Sequence, residues 1–305
     1  MTITQYINFT RWGIPTLDPQ EGNRTLVFRG WREYDYPQGQ CTGGDGIDMA
    51  TRFTGAIRKV MDWFLFWAIL ANLAISCIGW SLPALPLNSL LPKHLRARVG
   101  QFTAMFWCRY FVWSMNVSGR VRCDLTELDA LREEQHLLIV SNHPSLLDAL
   151  LIISRLPHIA CIAKASLWNN LFFGAGIRLA GYIRNDAPRQ LLRESAGILA
   201  APDRQMLIFP EGTRSASRDR LSPFRPGFAA IARRAGADVQ TILIESNTAY
   251  LSKTWKIFRR PEFPLIYRIR LGRRFTVSGS PQDFTRSLEC YFREELAMPD
   301  LEPVA

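Results

Sequence analysis

The chain has little lysine and no clustered cysteine, and these two shortages exclude several classes of protein. Its six cysteines are scattered over 305 residues and form no Cys-x-x-Cys pair, which is typical of a reducing compartment and excludes a zinc knuckle or a disulfide-stapled miniprotein. Internal repeats and low-complexity blocks are absent and 48% of the residues are hydrophobic, which excludes a disordered or fibrous chain. We therefore expect a globular protein without a zinc site.

Positive charge is carried almost wholly by arginine. Lysine and arginine total 37 against 27 acidic residues, a net charge of +10, and only five of those cations are lysine. Because long cation runs and nucleic-acid-binding motifs are absent, nucleic acid is not an expected partner. Arginine makes forked contacts with phosphate oxygens, so the charge favours phosphate groups or lipid headgroups as partners.

One long segment carries no charge at all. The 30 positions between Asp62 and Lys93 are uncharged, and an apolar stretch of about 20 residues is what a helix needs to cross a bilayer. The segment lies too deep in the chain for a cleavable signal peptide, and its aromatic residues cluster near its ends, as at a membrane interface. We predict a membrane-embedded helical hairpin over residues 56–118, with Phe102 to Met115 in its second arm. A single span and a buried core helix are the alternatives.

Residues 119–305 have the pattern of an α/β domain. Short apolar runs alternate with helical stretches, which predicts a layered sheet with flanking helices, preceded by the membrane-associated helical segment. Residues 1–55 form an extension to which the sequence assigns no role. The predicted strands are 137–140, 159–163, 206–209, 242–244 and 266–271, and the predicted helices are 145–155, 167–179, 188–200, 227–235 and 281–297.

The first group of candidate catalytic residues lies in Ser141 to Asp148, where a predicted strand gives way to a helix. Pro144 suits the first helical position, so His143 would lie just outside the helix and its ring could fold back onto the Asp148 carboxylate. The other ring nitrogen would then be a stronger base. Because the sequence has no Gly-x-Ser-x-Gly nucleophile, the hydroxyl to be activated would belong to the substrate. The alternative is that His143 starts a helix and Asp148 complements its dipole.

A second group, Phe209 to Ser215, follows another predicted strand. Gly212 permits a tight turn with exposed backbone N–H groups, and Thr213 and Arg214 add donors, which together could hold a phosphate. Glu211 could orient the arginine or bind a substrate hydroxyl. A solvated turn with a chance ion pair is the alternative.

Together, the two groups resemble a known family. His143 to Asp148 and Phe209 to Ser215 match the HxxxxD and FPEGTRS blocks of the glycerolipid acyltransferases related to 1-acylglycerol-3-phosphate acyltransferase, and Leu221 to Gly227 resembles their LxxFRxG segment. The resemblance covers residues 100–275. It implies an α/β fold, a His-Asp dyad as general base, acceptor binding by Glu211 to Arg214, and acyl-CoA or acyl carrier protein as co-substrate. It implies no metal and no cofactor.

The sequence departs from the family pattern in two blocks. In the second block, Gly181 to Asp186 is shortened, and Arg184 takes the place of the phosphate-binding arginine. In the fourth block, Val239 to Ile244 lacks the usual proline. Both blocks shape the acceptor site, so these departures affect the identity of the acceptor.

These observations predict a membrane-bound O-acyltransferase on the cytoplasmic side of the inner membrane. It would move a fatty acyl group to a lysophospholipid hydroxyl, with 1-acylglycerol-3-phosphate as the first choice and His143 as the base. One alternative is an acyltransferase for another acceptor, such as an aminolipid or a specialised aryl or polyketide lipid. A non-catalytic lipid-binding membrane protein and a lipid hydrolase are the others.

Overall fold

The computed structural model describes residues 45–170, 172–201, 204–216 and 221–297. The residues from Thr51 onward form one compact unit. Most of the predicted N-terminal extension, residues 1–55, lies outside the described residues.

A seven-stranded sheet with helices on both faces forms the centre of the protein, which confirms the predicted layered α/β fold. Its strand order is β1-β7-β6-β2-β5-β3-β4, in which β6, β2, β5, β3 and β4 run parallel and β7 runs antiparallel to β6. The strands are β1 Val121–Asp124, β2 Leu137–Ser141, β3 Ile159–Ala163, β4 Ile183–Arg184, β5 Gln205–Ile208, β6 Asp238–Ser246 and β7 Leu265–Phe275. The sequence analysis missed β1 and β4, because these short edge strands mix buried with exposed residues and contain no apolar run.

The helices are α1 Asp45–Leu90, α2 Lys93–Val117, α3 Asp148–Ile153, α4 Ala165–Trp168, α5 Gly174–Leu179, α6 Pro188–Leu199, α7 Gly227–Ala235 and α8 Pro281–Leu296. The single helix predicted over 167–179 is wrong, because a loop separates α4 from α5. In that loop the Asn170 side chain accepts the Phe172 N–H at 2.8 Å, which satisfies a backbone donor locally in place of a helical bond.

Two hydrophobic cores lie on opposite faces of the sheet. Successive side chains of a strand point to opposite faces, so Leu137 and Ile139 of β2 enter the core beneath α2 and α3. Leu138 and Val140 enter the core beneath α6, α7 and α8. Strands buried on both faces read as continuous apolar runs, which is why β2 was recognisable in the sequence.

The helix predicted from Ser145 begins instead at Asp148. The residues between His143 and α3 bond elsewhere: the Ser145 hydroxyl donates to the Tyr250 carbonyl at 2.9 Å, and the Leu146 N–H donates to the Leu251 carbonyl at 3.0 Å. These contacts, which a sequence pattern does not show, hold the segment as a turn. Pro144 is therefore not the first helical residue.

Helices α1 and α2 form an antiparallel hairpin joined at residues 91–92. The Asn72 side chain donates to the Ser114 hydroxyl at 2.5 Å, and Phe66 and Phe111 are buried in a shared core. The hairpin also packs on the α/β domain: a Cβ on Gly100 of α2 would lie 2.3 Å from the Ala180 backbone nitrogen, so only glycine allows this approach.

The two prolines in α1 do not end it. The helix continues through Pro83 and Pro86 to Leu90. Tertiary contacts hold this last part, since Ala84 is fully buried and the Asn88 side chain donates to the Ala175 carbonyl of α5 at 3.0 Å. Packing here outweighs the local preference of proline.

The face of α1 that turns away from the domain exposes large apolar side chains. Residues Gly55–Leu90, which contain an 18-residue window with a mean hydropathy of 1.8, are the one helical segment among the described residues that is long and apolar enough to cross a membrane. Only 28% of that segment's apolar window is buried, so it differs from the core helix of a soluble protein. The exposed apolar residues of α1 include Ile57, Val60, Met61, Trp63, Phe64, Trp67, Ile75, Leu82 and Leu85.

Candidate active site

The two motif segments leave the sheet side by side. Strands β2 and β5 are parallel neighbours, with Val140 opposite Ile208, so the residues that follow them emerge at the same sheet edge. Ligands of open α/β sheets bind at this carboxyl edge. The sheet therefore brings Ser141 to Asp148 next to Phe209 to Ser215.

His143 and Asp148 form the hydrogen-bonded pair that their spacing suggested. The His143 Nδ1 lies 2.8 Å from the Asp148 Oδ2, and the imidazole stacks on the Phe209 ring with centroids 4.0 Å apart. Asp148 is fully buried, whereas the His143 side chain is 17% exposed. The His143 Nε2 has no hydrogen-bond partner in the described part of the chain, so one ring nitrogen is held and the other is available.

Burial raises the pKa of Asp148 above its ordinary value of 3.8, and the hydrogen bond with His143 opposes that rise. The Ser145 N–H, 2.7 Å from the Oδ2, also favours the ionised carboxylate. Among the described residues, the other oxygen, Oδ1, is buried without a partner. The ionised form of Asp148 is thus stabilised mainly by the imidazole, because few other groups compensate for the loss of hydration.

Glu211 links the two motif segments through its buried carboxylate. The Oε1 accepts the His143 N–H at 2.8 Å, while the Oε2 accepts the Ser215 hydroxyl and the Ser222 N–H, both at 2.9 Å. The Ser215 N–H in turn donates to the His143 carbonyl at 2.8 Å. Glu211 is only 2% exposed and its oxygens already take three protein donors. Its direct contact with a substrate stays a prediction.

The turn at Gly212 is tight, as its residue type predicted, with a φ of +69° that favours glycine. A Cβ at this position would also lie 3.3 Å from the Nε of Arg225. The predicted exposed N–H is wrong at Gly212 itself, because that group donates to the Phe209 carbonyl at 3.0 Å. The half-buried Thr213 follows in the same turn.

Arg214 is half-buried beside this turn. Its Nη1 donates to the Leu251 carbonyl at 2.8 Å and to the Ser252 carbonyl at 3.3 Å. Guanidinium has five N–H donors, and Nη1 carries two of them, so Nε and Nη2 retain three. Arg214 is thus anchored through one nitrogen and keeps donors for a further partner.

Arg184 lies farther along the same sheet edge. It ends β4, which two strands separate from β2, so at about 4.8 Å per strand it lies roughly 14 Å from the end of β2. Its guanidinium forms an ion pair with Asp186, and both side chains are more than 40% exposed. The sheet does not bring this arginine next to the His143 pair.

The described residues contain no group of three or more His, Cys, Asp or Glu side chains placed to hold a metal ion. Two surface cavities of about 250 and 420 Å³ lie away from His143, one lined by Arg98 and His158 among others, the second by Trp255 and Arg259 among others. The chemistry that the geometry offers is therefore an oriented imidazole beside cationic donors.

Comparison with known proteins finds similar chains over the part that carries the site. Residues 122–245, which contain both motif segments, match the family model described as Acyltransferase. Over this region the chain is similar to the glycerolipid acyltransferases. It is accordingly an enzyme that transfers acyl groups, which confirms the resemblance drawn from the two motifs.

Relatives of this acyltransferase occur in plants and bacteria. It is 25% identical over 213 residues to a 1-acyl-sn-glycerol-3-phosphate acyltransferase of Limnanthes douglasii, covering 67% of this chain and 72% of the relative. The enzyme of the same name from Pseudomonas aeruginosa is 26% identical over 206 residues, covering 66% and 75%. A shorter match to that of Helicobacter pylori is 32% identical over 130 residues, covering 40% and 54%.

The fold of this acyltransferase also occurs in a solved structure. The crystal structure of the 1-acyl-sn-glycerophosphate acyltransferase from Thermotoga maritima superimposes with a TM-score of 0.55 at 20% identity, covering 79% of this chain and 95% of that chain. At this identity the likeness concerns the fold. It includes the layered sheet that holds the two motif segments at one edge.

Two parts of the acyltransferase site were missed by sequence reasoning. The Leu251 backbone has a positive φ of 58°, and its carbonyl accepts both the Leu146 N–H and the Arg214 guanidinium. No glycine or asparagine marks this left-handed residue, so the sequence carries no signal for it. Arg225, which packs on Gly212, was not singled out as a site residue. Its place in the LxxFRxG segment was the sequence signal that could have identified it.

Proposed function

We propose that this acyltransferase moves a fatty acyl group from a thioester, acyl-CoA or acyl carrier protein, to the hydroxyl of a lysophospholipid, with 1-acylglycerol-3-phosphate as acceptor. The observation that carries the proposal is the His143 imidazole, held by Asp148 at 2.8 Å through one nitrogen and without a partner among the described residues at the other. The names of the curated relatives support the choice of acceptor.

In the proposed reaction, His143 acts as general base on the acceptor. Nε2 takes the hydroxyl proton while that oxygen attacks the thioester carbonyl, giving a tetrahedral intermediate whose collapse breaks the carbon–sulfur bond. The departing thiolate then receives the proton from Nε2. Asp148 accepts a hydrogen bond from the Nδ1–H throughout, which keeps Nε2 unprotonated at the start and stabilises the imidazolium that forms.

Cationic side chains beside Gly212 would hold the acceptor phosphate. Arg214 retains three N–H donors, and the exposed Arg225 packs on the same turn, so two guanidinium groups belong to the surroundings of Gly212. Forked arginine contacts suit phosphate oxygens. Glu211 would act as a positioning residue, because its carboxylate fixes the backbone of His143. Arg184 would contact a more distant part of the bound substrates.

The hairpin would anchor the enzyme in one leaflet. Helix α1 contacts the domain from Asp62, which pairs with Arg120 and Arg260, to Asn88, which bonds to Ala175. A helix attached along its length lies beside the domain and presents its opposite, apolar face, which favours an interfacial position over a crossing one. The catalytic domain would then lie on the cytoplasmic side of the inner membrane, where acyl-CoA and acyl carrier protein occur.

A panel of acceptors tests the proposed reaction. Purified enzyme in vesicles is offered 1-acylglycerol-3-phosphate, phosphate-free monoacylglycerol, lysophosphatidylcholine and an aminolipid, each with acyl-CoA and acyl carrier protein donors, and products are identified by mass spectrometry. We expect kcat/KM for 1-acylglycerol-3-phosphate to exceed that for monoacylglycerol about tenfold to a hundredfold, as charge-assisted phosphate contacts predict.

The panel also separates the alternatives. Preference for phosphate-free acceptors would contradict the proposed substrate and indicate an acyltransferase for another acceptor. The observation that favours this alternative is the Arg184–Asp186 ion pair in the shortened block. Accumulation of free fatty acid would indicate a hydrolase. Vesicle binding without any turnover would indicate a lipid-binding protein that lacks the reaction.

Asp148→Asn tests the orienting carboxylate. The amide no longer favours the tautomer with its proton on Nδ1, so we expect kcat to fall about 100- to 1,000-fold. The melting temperature is expected to stay within a few degrees of the wild type. The raised pKa of Asp148 means that its ionised form is disfavoured by burial, and asparagine removes that cost while it can still accept the Ser145 N–H. Unchanged kcat in this variant would contradict the assigned role.

A further inference from the structure

An exposed turn at residues 255–260 combines an apolar tip with basic flanks. Ile257 and Phe258 at its tip are 46% and 68% exposed, and the exposed side chains of Lys256 and Arg259 stand on either side of them. The Arg259 N–H donates to the Lys256 carbonyl at 2.8 Å, which closes the turn. Both large apolar side chains are thus exposed at the apex of a closed turn.

The base of the 255–260 turn is rigid. The Trp255 indole N–H donates to the Arg259 carbonyl at 3.0 Å, and the Arg259 guanidinium lies 4.7 Å from the centre of the Trp255 ring. Trp255 itself packs edge-to-face on the buried Tyr250, with ring centroids 5.7 Å apart. These contacts at the base of the turn fix the position of its tip.

The tip of the turn continues the exposed aromatic surface of α1. Phe258 stacks on Trp67 with centroids 6.0 Å apart and planes at 29°, and the Arg260 guanidinium lies 5.7 Å from the centre of the Trp63 ring. Trp63 and Trp67 are themselves about half exposed, at 47% and 50%. Phe258, Trp63 and Trp67 therefore form one aromatic patch built from two distant parts of the chain.

The aromatic patch begins where the charged part of α1 ends. Asp62, the last charged residue before 30 uncharged positions, pairs with Arg120 at 2.5 Å and with Arg260 at 3.5 Å. Trp67 lies five residues farther along α1, about 7.5 Å at 1.5 Å per residue. Phe258, stacked on Trp67, thus lies beside the uncharged part of α1 rather than beside its charged end.

The segment that carries the turn also forms part of the active site. The carbonyls of Leu251 and Ser252 anchor Arg214, and the Lys253 N–H donates to the Ser215 carbonyl at 3.1 Å. The Thr254 hydroxyl donates to the Ala216 carbonyl at 3.0 Å. Only a few residues therefore separate the cationic side of the site from the exposed tip.

We propose that the 255–260 turn is a second membrane contact, which inserts Ile257 and Phe258 into the bilayer surface while Lys253 and Lys256 face anionic phospholipid headgroups. The proposal rests on the membrane association of the proposed function and adds to the hairpin a contact next to the site. Continuity with the exposed face of α1 and a net charge of +10 select an anionic lipid surface as the partner. This contact would position the active site at the bilayer surface, where the hydroxyl of an amphipathic acceptor lies.

Phe258→Asp in the full chain tests the insertion. Flotation with graded amounts of vesicles, made of zwitterionic lipid with 30% anionic phosphatidylglycerol, measures binding, and kinetics are measured with a vesicle-embedded and a short-chain soluble acceptor. Because a buried Phe side chain contributes strongly to partition, we expect about tenfold weaker vesicle binding and about tenfold higher KM for the embedded acceptor. The kcat for the soluble acceptor should stay within about twofold. Phe258→Leu should retain most of the binding.

Matched variants control for charge and position. Ser278→Asp adds the same charge at an exposed position beyond β7 and should bind vesicles as the wild type does. The double variant Lys253→Gln, Lys256→Gln should lose about fivefold or more of its binding to anionic vesicles and none to purely zwitterionic ones. Arg286→Gln, on α8 and 78% exposed, provides the control for a lost cation.

Several results would overturn the proposal. Wild-type binding and KM in Phe258→Asp would exclude insertion, and loss of turnover on the soluble acceptor would show that the turn supports the domain instead. A change in oligomeric state without a change in vesicle binding would identify the patch as a contact between copies of the chain. Failure of the proposed function is a separate outcome, because it would appear as absent acyl transfer by the wild-type enzyme on both acceptors.

Discussion

His143→Ala is expected to lower kcat about 1,000- to 10,000-fold, the largest effect of any single substitution in the site. The substitution removes the only group that the described structure orients as a base, and general-base catalysis contributes up to about that factor. Single-turnover acyl transfer with saturating thioester and acceptor gives the measurement. KM for both substrates should change little, because Arg214 and Arg225 would still hold the acceptor.

Two controls distinguish lost chemistry from lost structure in His143→Ala. Without the imidazole, Asp148 loses a hydrogen bond that lowers its pKa, so the carboxyl is expected to bind a proton more readily and remain buried in neutral form. The variant should therefore keep a folded circular dichroism spectrum and its binding to vesicles. Turnover at the wild-type rate would disprove the assignment of His143 as the base.

Glu211→Ala is expected to have the largest effect on stability and a large effect on rate. It leaves the N–H groups of His143 and Ser222 and the hydroxyl of Ser215 without their acceptor. A buried donor left unsatisfied costs about 1–3 kcal/mol, so we expect a loss of about 3 kcal/mol or more in the free energy of unfolding. Since a small displacement of a catalytic group can cost about 100-fold, kcat should fall by about that factor. Chemical denaturation and steady-state kinetics measure the two effects.

Glu211→Gln and a remote glutamate serve as comparisons. Glutamine retains one acceptor oxygen but places N–H donors against protein donors, so both effects should be intermediate. Glu294→Ala, on the exposed side of α8, should change neither quantity. If Glu211 instead contacts the acceptor directly, Glu211→Gln would raise the acceptor KM and leave stability unchanged, which would contradict the positioning role.

The central parallel strands were recognisable because they are buried on both faces. Strands such as β2 and β5 read as short uninterrupted apolar runs, and the polar residues that follow them mark the sheet edge where ligands bind. The five-residue spacing of His143 and Asp148 was enough to suggest a contact, since both lie in one short connection. Local order therefore predicted the sheet, the position of the site and the pairing of these two side chains.

Other predictions failed or were incomplete where distant segments decide the local structure. The start of α3 depends on bonds to Tyr250 and Leu251, about a hundred residues away. The role of Glu211 depends on which hydrogen-bond donors surround its buried carboxylate. A pattern of residue types does not show those donors. The edge strands of two and four residues contain no apolar run.

The amino-acid sequence by itself determined the layered sheet, the uncharged helical segment and the residue types gathered at one sheet edge, because these follow from hydrophobic patterns and spacings within short stretches. Only the tertiary structure decided that Glu211 joins the two motif segments, that Leu251 anchors Arg214, and that the 255–260 turn meets α1. The physical reason is that a buried polar group must find its partner wherever the fold places one, and that position is independent of distance along the chain.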